Sequence, residues 1–422
     1  MTHTDEDSGS AGFFRYLLGW GPGITTVLTW LGAGDIVAGM VAGSEFGYGL
    51  LWAMVLAVVL RSLLASAMVK YQLVNPHKES IIDGLSRLGR WLPWLLLVYV
   101  PLFVFFTNLA ILKACAEVWH QMIPGVPFWT WALIWAGTAF ALVVSGNYAR
   151  VELFLKIVLG VMSAAFIYCV FQTDVDLGAL GRGLIPQIPK GLGHRSAFLV
   201  LLGIIGGVGG SVATLSYAYF VREKGWHAPR HRRMQLYDIG LSAVVMVLLN
   251  LCVWILAVEI VGPRGIRVTT AQQMAQTLAA TLGRSGEILF YVGLWAAAFS
   301  TLVGVTLGSG YLTSDIWRSQ LRPSRERAAG RGLPYGAVVL LGTLGPLAAL
   351  LTEADFVTLS LLSNGYTTIL IPILIFGTLV ITNRTEWIGA EYRNSRALNL
   401  ILATMGVYSL YVLVRWGAEL LG

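Results

Sequence analysis

The sequence predicts an all-α membrane protein of about eleven transmembrane helices, folded as a five-plus-five inverted repeat with spans one and six broken. Three observations predict it. Of 422 residues, 56% are hydrophobic and 12% charged, roughly half the charged share of a soluble globular domain. The hydrophobic residues fall in runs of the roughly 20 residues that an α-helix needs to cross a bilayer. Glycine clusters interrupt two of these runs, and the two are five apart in order.

In order, the chain opens with a polar, acidic stretch, Met1 to Gly12, without the basic flank and cleavage site of a signal peptide. Residues 1–20 are therefore expected to be a cytoplasmic tail, and residues 21–421 a single transmembrane domain. The first repeat, 21–172, holds spans 22–44, 48–69, 92–115, 128–146 and 151–172. The second, 197–381, holds spans 197–221, 236–261, 287–312, 334–352 and 356–381, and an additional span covers 397–418. Of the connections, 70–91, 172–196, 222–235 and 262–286 are long enough for short helices, and Glu79 to Leu88 reads as an amphipathic helix lying at the membrane interface.

Charge sets the orientation. Lys70, Lys78, Arg87, Arg90, Arg230, Arg232, Arg233 and the run Arg318, Arg322, Arg325, Arg327 fall on one side. The other side holds only Arg182, Lys190, Arg195, Arg264, Arg267 and Arg284. The positive-inside rule then places the N-terminus in the cytoplasm of a multi-pass plasma-membrane protein. The formal charge of +7 is spread over short loops instead of one face, which argues against a nucleic-acid partner. Cys115, Cys169 and Cys252 are too scattered for a metal or disulfide framework and read as core residues. With no Walker A loop, GxSxG elbow or HExxH, ATP-driven pumping and hydrolysis lack support.

The breaks carry the chemistry. Span one has Gly32-Ala33-Gly34-Asp35 at its middle, and span six has Gly203 through Ser211, with five glycines, at the matching depth. Each glycine costs a helix about 1 kcal/mol, and unwound backbone survives in a bilayer only where it is buried or lines a cavity. The alternative for span six is close packing, since Gly203/Gly207 and Gly206/Gly210 fit GxxxG. The matched break in span one, with a carboxylate inside it, favours a substrate site at the midplane.

Several stretches resemble the Nramp family of divalent-metal transporters: Gly21-Pro22-Gly23, Ser44-Glu45-Phe46-Gly47-Tyr48 with Leu50-Leu51-Trp52, and Gly203-Ile204-Ile205-Gly206. Ser300-Thr301 with Gly304 and Gly308, and Asn383-Arg384 through Ile388-Gly389 with Asn394-Ser395-Arg396, extend the likeness over nearly the whole chain. The resemblance implies a LeuT-type fold and transport of Mn²⁺, Fe²⁺ and related ions, usually with protons. The chemistry-bearing motifs depart from it. The family's DPGN reads Gly32-Ala33-Gly34-Asp35, its MPH methionine falls on Gly210 or, with a gap, on Ala213, and its span-three acidic pair is lost at Thr107-Asn108-Leu109-Ala110-Ile111. In these losses the sequence resembles the Nramp-related magnesium transporters.

Without the soft thioether, the expected donor set is hard: Asp35, carbonyls near Gly32, Gly209 and Gly210, and the hydroxyls of Ser211 and Thr214. The resemblance adds Ala213 at the methionine position and Asn364 where the family has a glutamine in span ten. Asp35 is equally suited to cap the second half-helix. Asn250 and Asn108 are weighed as ligands against interhelical hydrogen bonding. Arg61 in span two and Lys113 in span three are expected to snorkel to the membrane edges, with Asp238 as an alternative partner for Arg61. If they face the cavity instead, an anionic or zwitterionic substrate gains weight. The expected function is a secondary transporter of Mg²⁺ or Mn²⁺ working by alternating access without proton coupling, with a monomer as the expected unit and the transported ion in place of any cofactor. The alternatives are an Nramp-fold carrier of a non-metal or anionic solute, a proton-coupled transition-metal importer, and a non-transporting metal sensor; an enzyme is not expected.

Overall fold

A computed structural model describes residues 21–189, 213–264, 271–321, 332–351 and 369–421, with isolated positions between 197 and 204 and between 359 and 366. The described residues are helical and contain no strand. Six helices are long and apolar enough to cross a membrane, and Phe128–Val143, Gly332–Ala348 and Ile371–Ile381 are shorter apolar helices.

The first half begins with α1 (Pro22–Trp30) and α2 (Ala33–Phe46). Pro22 suits the first turn, where its missing N–H is no loss. Gly47, at φ 57°, turns the chain through a short 3-10 segment into α3 (Leu51–Val74). There follow α4 (Ile81–Ser86), α5 (Trp91–Met122), α6 (Phe128–Val143), α7 (Tyr148–Phe171) and the short α8 (Leu177–Gly183). Asn147 caps α7 by accepting from the Arg150 N–H at 3.3 Å, and Asp176 caps α8 by accepting from that of Ala179 at 2.8 Å.

The second half supplies α9 (Ala213–Glu223) and α10 (Arg232–Leu256), which continues into a π turn at Ala257–Val261. The long α11 (Ala271–Leu321) changes direction at Gly283, where φ is 70°. Then come α12 (Gly332–Thr343), α13 (Ile371–Ile381) and α14 (Arg396–Leu421). The outward faces stay apolar: Phe171, Leu153, Val98 and Leu400 are all exposed. Such a surface suits hydrocarbon and not water.

One expectation is sharpened. The amphipathic segment Glu79 to Leu88 turns its apolar face to protein. Its helix α4 buries Ile81, Ile82 and Leu85 completely between α3, α5 and α13, so its apolar face is satisfied by protein in place of lipid. Trp119 joins Trp131, Trp135 and Trp295 in an aromatic cluster with ring centroids 4.9–5.8 Å apart. The loop ahead of α14 gains a physical reading. Lys70 of α3 donates to Asn394, whose amide donates to Thr382 at 2.8 Å and to Asn399 at 3.0 Å, while Asn383 and Asn399 exchange hydrogen bonds. These amides clamp the loop to the C-terminal end of α3.

Candidate functional site

The break in span one is built by two residues. Leu31 leaves helical space at φ −80°, ψ 79°, and Gly32 is extended at φ −90°, ψ 173°. The Gly32 carbonyl then accepts the N–H groups of Asp35 at 3.1 Å and Ile36 at 3.2 Å. These are the opening bonds of α2, so the carbonyl expected to serve as a co-ligand is engaged in starting the helix. Asp35 lies in the first turn of α2, half-buried, and its Oδ2 accepts from the Gly32 N–H at 3.4 Å. A carboxylate there complements the positive end of the helix. It offers about four lone-pair positions, so one long capping bond leaves it able to take a cation.

The carbonyl that the break releases is found elsewhere. Leu28, in the last turn of α1, has its carbonyl covered by hydroxyls from α11, Thr301 Oγ1 at 3.0 Å and Ser300 Oγ at 3.3 Å. Further along α11, a Cβ on Gly304 would stand 2.1 Å from Thr29 Oγ1, and one on Gly308 would stand 2.1 Å from Ser216 Oγ of α9. The Ser300-Thr301, Gly304, Gly308 series thus forms one groove in which α1 and α9 both lie. Trp30 joins them: its Nε1–H donates to the Ala213 carbonyl at 3.2 Å, linking the end of α1 to the start of α9.

Arg61 does not snorkel. It is 4% exposed, and its guanidinium lies 4.4 Å from the centre of the Trp30 ring. Asp35 is the carboxylate of the same break, its Oδ2 accepting from the Gly32 N–H two residues beyond Trp30. A buried guanidinium is most cheaply held against an aromatic face and an opposite charge, and the break offers both in Trp30 and Asp35. Asp238, the partner considered from sequence, accepts from the Tyr217 hydroxyl at 2.8 Å.

Of the expected ligands, Asp35 and Gly32 sit at the break, and Ala213 and Thr214 are buried in the first turn of α9 beside Trp30. Gly209, Gly210, Ser211 and Asn364 lie outside the described residues. Next to Asn364, Ser363 donates to Thr107 at 3.0 Å and Tyr366 stacks on Tyr99 with centroids 4.5 Å apart, so span ten leans on α5. Asn108 is fully buried and donates to Thr306 Oγ1 at 2.8 Å and the Gly342 carbonyl at 2.7 Å, tying α5 to α11 and α12. Asn250 donates to its own helix at Met246, 2.9 Å away. Among the described residues no three of His, Cys, Asp and Glu gather into a metal-binding group.

The half-helices are held at both ends. A cavity of about 450 Å³ opens at the C-terminal end of α2, lined by Tyr48, Asp176, Arg182 and Glu259 among others. Across it Tyr48 donates to Glu259 at 2.7 Å. At the other end Lys224, just beyond α9, donates to both oxygens of Glu152 on α7 at 2.8 and 3.1 Å. Tyr219 donates to Asp315 of α11 at 2.8 Å, and the hydroxyls of Thr25 and Tyr148 meet at 3.2 Å. Sequence reasoning missed Trp30 and the direction of Arg61. The available signal was Arg61 itself, a charge placed among Val58, Val59, Leu60 and Leu63 where only a specific partner would justify it.

Comparison with known proteins agrees with this architecture. The chain is 24% identical over 383 residues to a protein of Yersinia pestis (strain Pestoides F) named divalent metal cation transporter MntH, covering 87% of this chain and 90% of that one. The MntH of Yersinia enterocolitica is also 24% identical, with 90% of each covered. The manganese transporter of Eremococcus coleocola superposes with a TM-score of 0.80 at 18% identity, covering 98% of this chain and 90% of that one. Mhp1, a nucleobase-cation-symport-1 family transporter, superposes at 0.54 with 16% identity, covering 94% and 93%. These likenesses place the fold among Nramp and LeuT-like transporters. Residues 23–416 match the family model described as natural resistance-associated macrophage protein-like, and the chain therefore belongs to the Nramp family, whose members are transporters and not enzymes.

Proposed function

We propose that the chain carries a divalent metal cation, Mg²⁺ or Mn²⁺, across the plasma membrane by alternating access, with α1 and α9 rocking against the rest and the N-terminus in the cytoplasm. The observation that carries this is Asp35: a half-buried carboxylate in the first turn after a mid-span break, holding one long capping bond and able to accept a cation. Relatives over most of the chain are named divalent metal cation transporters. Ala213 at the gapped methionine position has no sulfur, so the donors are oxygens, and hard donors suit Mg²⁺ and Mn²⁺. A proton path needs a chain of titratable groups. Where the family resemblance expects an acidic pair in span three, this chain has Asn108, clamped between helices, so transport runs down the metal gradient without protons.

The test is uptake of Mg²⁺, Mn²⁺ and Ca²⁺ into proteoliposomes by the parent chain and by Asp35→Ala, with a pH dye inside the vesicles. Uptake by the parent, none by the variant and no metal-dependent acidification is the expected result. Equal uptake by both would remove Asp35 from the site, and acidification would establish proton coupling. A second reading has its own observation: Arg61 delivers a positive charge to the same break, which suits a non-metal solute with an anionic group. Parent vesicles that ignore all three metals but accumulate such a solute would favour it.

A further inference from the structure

The midplane of this carrier holds a charge of its own. Arg61 projects from α3, an unbroken helix, and is buried on the Trp30 ring at the last residue of α1. Trp30 is in turn bonded to Ala213, the first residue of α9. The guanidinium therefore stands where the two half-helices meet, and the carboxylate of that same break is Asp35, held on the Gly32 N–H two residues beyond Trp30. An arginine that only needed a hydrogen-bonding position could have reached it from the C-terminal end of α3, as Lys70 does with Asn394.

We propose that Arg61 is a tethered counter-ion of Asp35, neutralising the carboxylate when the site holds no metal so that the empty carrier can return across the membrane. The inference rests on the metal-transport reading above. An uncompensated carboxylate moved through a low-dielectric site costs several kcal/mol. With Arg61 beside it the empty site is close to neutral, and the return step loses that penalty. An arriving divalent cation must compete with the guanidinium for Asp35, so affinity is weaker than a bare carboxylate would give. Arg61 is thus a positioning and specificity residue that favours net, one-way transport over metal-for-metal exchange.

The experiment compares the parent chain with Arg61→Gln and Arg61→Lys in proteoliposomes, using Mn²⁺ as the probe. Net uptake is measured into metal-free vesicles, and tracer exchange into vesicles preloaded with Mn²⁺. For Arg61→Gln, net uptake should fall at least about tenfold, exchange should persist, and the KM of exchange should fall. Arg61→Lys, which keeps the charge, should retain net uptake. A role in folding alone would lower net uptake and exchange in parallel, and that result, or no change in either, overturns the inference. Should Arg61→Gln fail to fold, Arg61→Lys decides: loss of net uptake with intact exchange would show that charge is not what matters and would overturn it equally. A parent chain with neither uptake nor exchange of Mn²⁺, Mg²⁺ or Ca²⁺ overturns the transport reading itself, and so remains distinguishable from failure of the counter-ion role alone.

Discussion

Two of the molecule's carboxylates, Glu152 on α7 and Asp35 on α2, stand near bases in ways that are built differently. Glu152 is gripped directly: Lys224 donates to both of its oxygens and Lys156 reaches it at 2.8 Å. At the break, the base is a guanidinium spread over the Trp30 indole, while Asp35 caps a helix through a 3.4 Å bond. The first arrangement saturates a carboxylate and fixes α9 to α7. The second compensates a carboxylate while leaving it able to exchange partners. A fastening and the proposed binding site thus use the same residue types, and the difference lies in how many acceptor positions are already filled.

The largest effect expected is at the open pair. Asp35→Ala should reduce metal uptake by about 100-fold and should also lower the melting temperature, because the buried Arg61 loses the carboxylate of the same break. Titration with Mn²⁺ and thermal denaturation alongside uptake check both parts. Next comes the groove in which α1 and α9 both lie. Gly308→Val must displace Ser216, since even a Cβ would lie 2.1 Å from its hydroxyl. The overpacking should cost about 1–3 kcal/mol, read as a lower melting temperature and a parallel loss of uptake and exchange. Preserved transport in this variant would mean that α9 can work away from α11. Smaller again, Thr301→Val removes the hydroxyl that covers the Leu28 carbonyl at 3.0 Å, at about 1 kcal/mol for a buried bond; Ser300→Ala, at 3.3 Å, should cost less. A reversed order in thermal denaturation would mean that Ser300 is the principal cover of the break.

Much of this was legible in the sequence, for physical reasons. Hydrocarbon allows few backbone solutions, so long apolar runs report helices directly. A glycine cluster carrying a carboxylate reports the position of a break. What the sequence left open was direction. Nothing in Val58-Val59-Leu60-Arg61 says which way the side chain turns, because that depends on Trp30 being brought beside it from another helix. The same holds for the carbonyls: a broken helix releases some, but that Gly32's is reused to start α2 and Leu28's is covered by α11 follows from backbone angles and a distant pair of hydroxyls. The ESIIDGLSRL segment left its partner open because an amphipathic face is equally satisfied by lipid or by protein, and here neighbouring helices supply the apolar surface.

The smallest effect belongs to the closed pair, and it tests the comparison most closely. Lys224 is 30% exposed in its side chain, so its ion pair is screened and should contribute about 0.5–1 kcal/mol. In Lys224→Met, Glu152 keeps Lys156, and no buried charge is stranded. The loss should therefore act on how often α1 and α9 separate at this end and not on metal affinity. Gly21 already touches the Lys224 stem, where a Cβ would lie 2.7 Å from Cε, so shortening that contact loosens the start of α1 as well. The measurement is the labelling rate of Thr25→Cys by an impermeant maleimide from the cytoplasmic side, expected to rise about two- to fivefold at unchanged KM for Mn²⁺. A change in KM without a change in labelling would mean that this pair tunes the site as the pair at the break does, and the distinction between fastening and binding site would then fail.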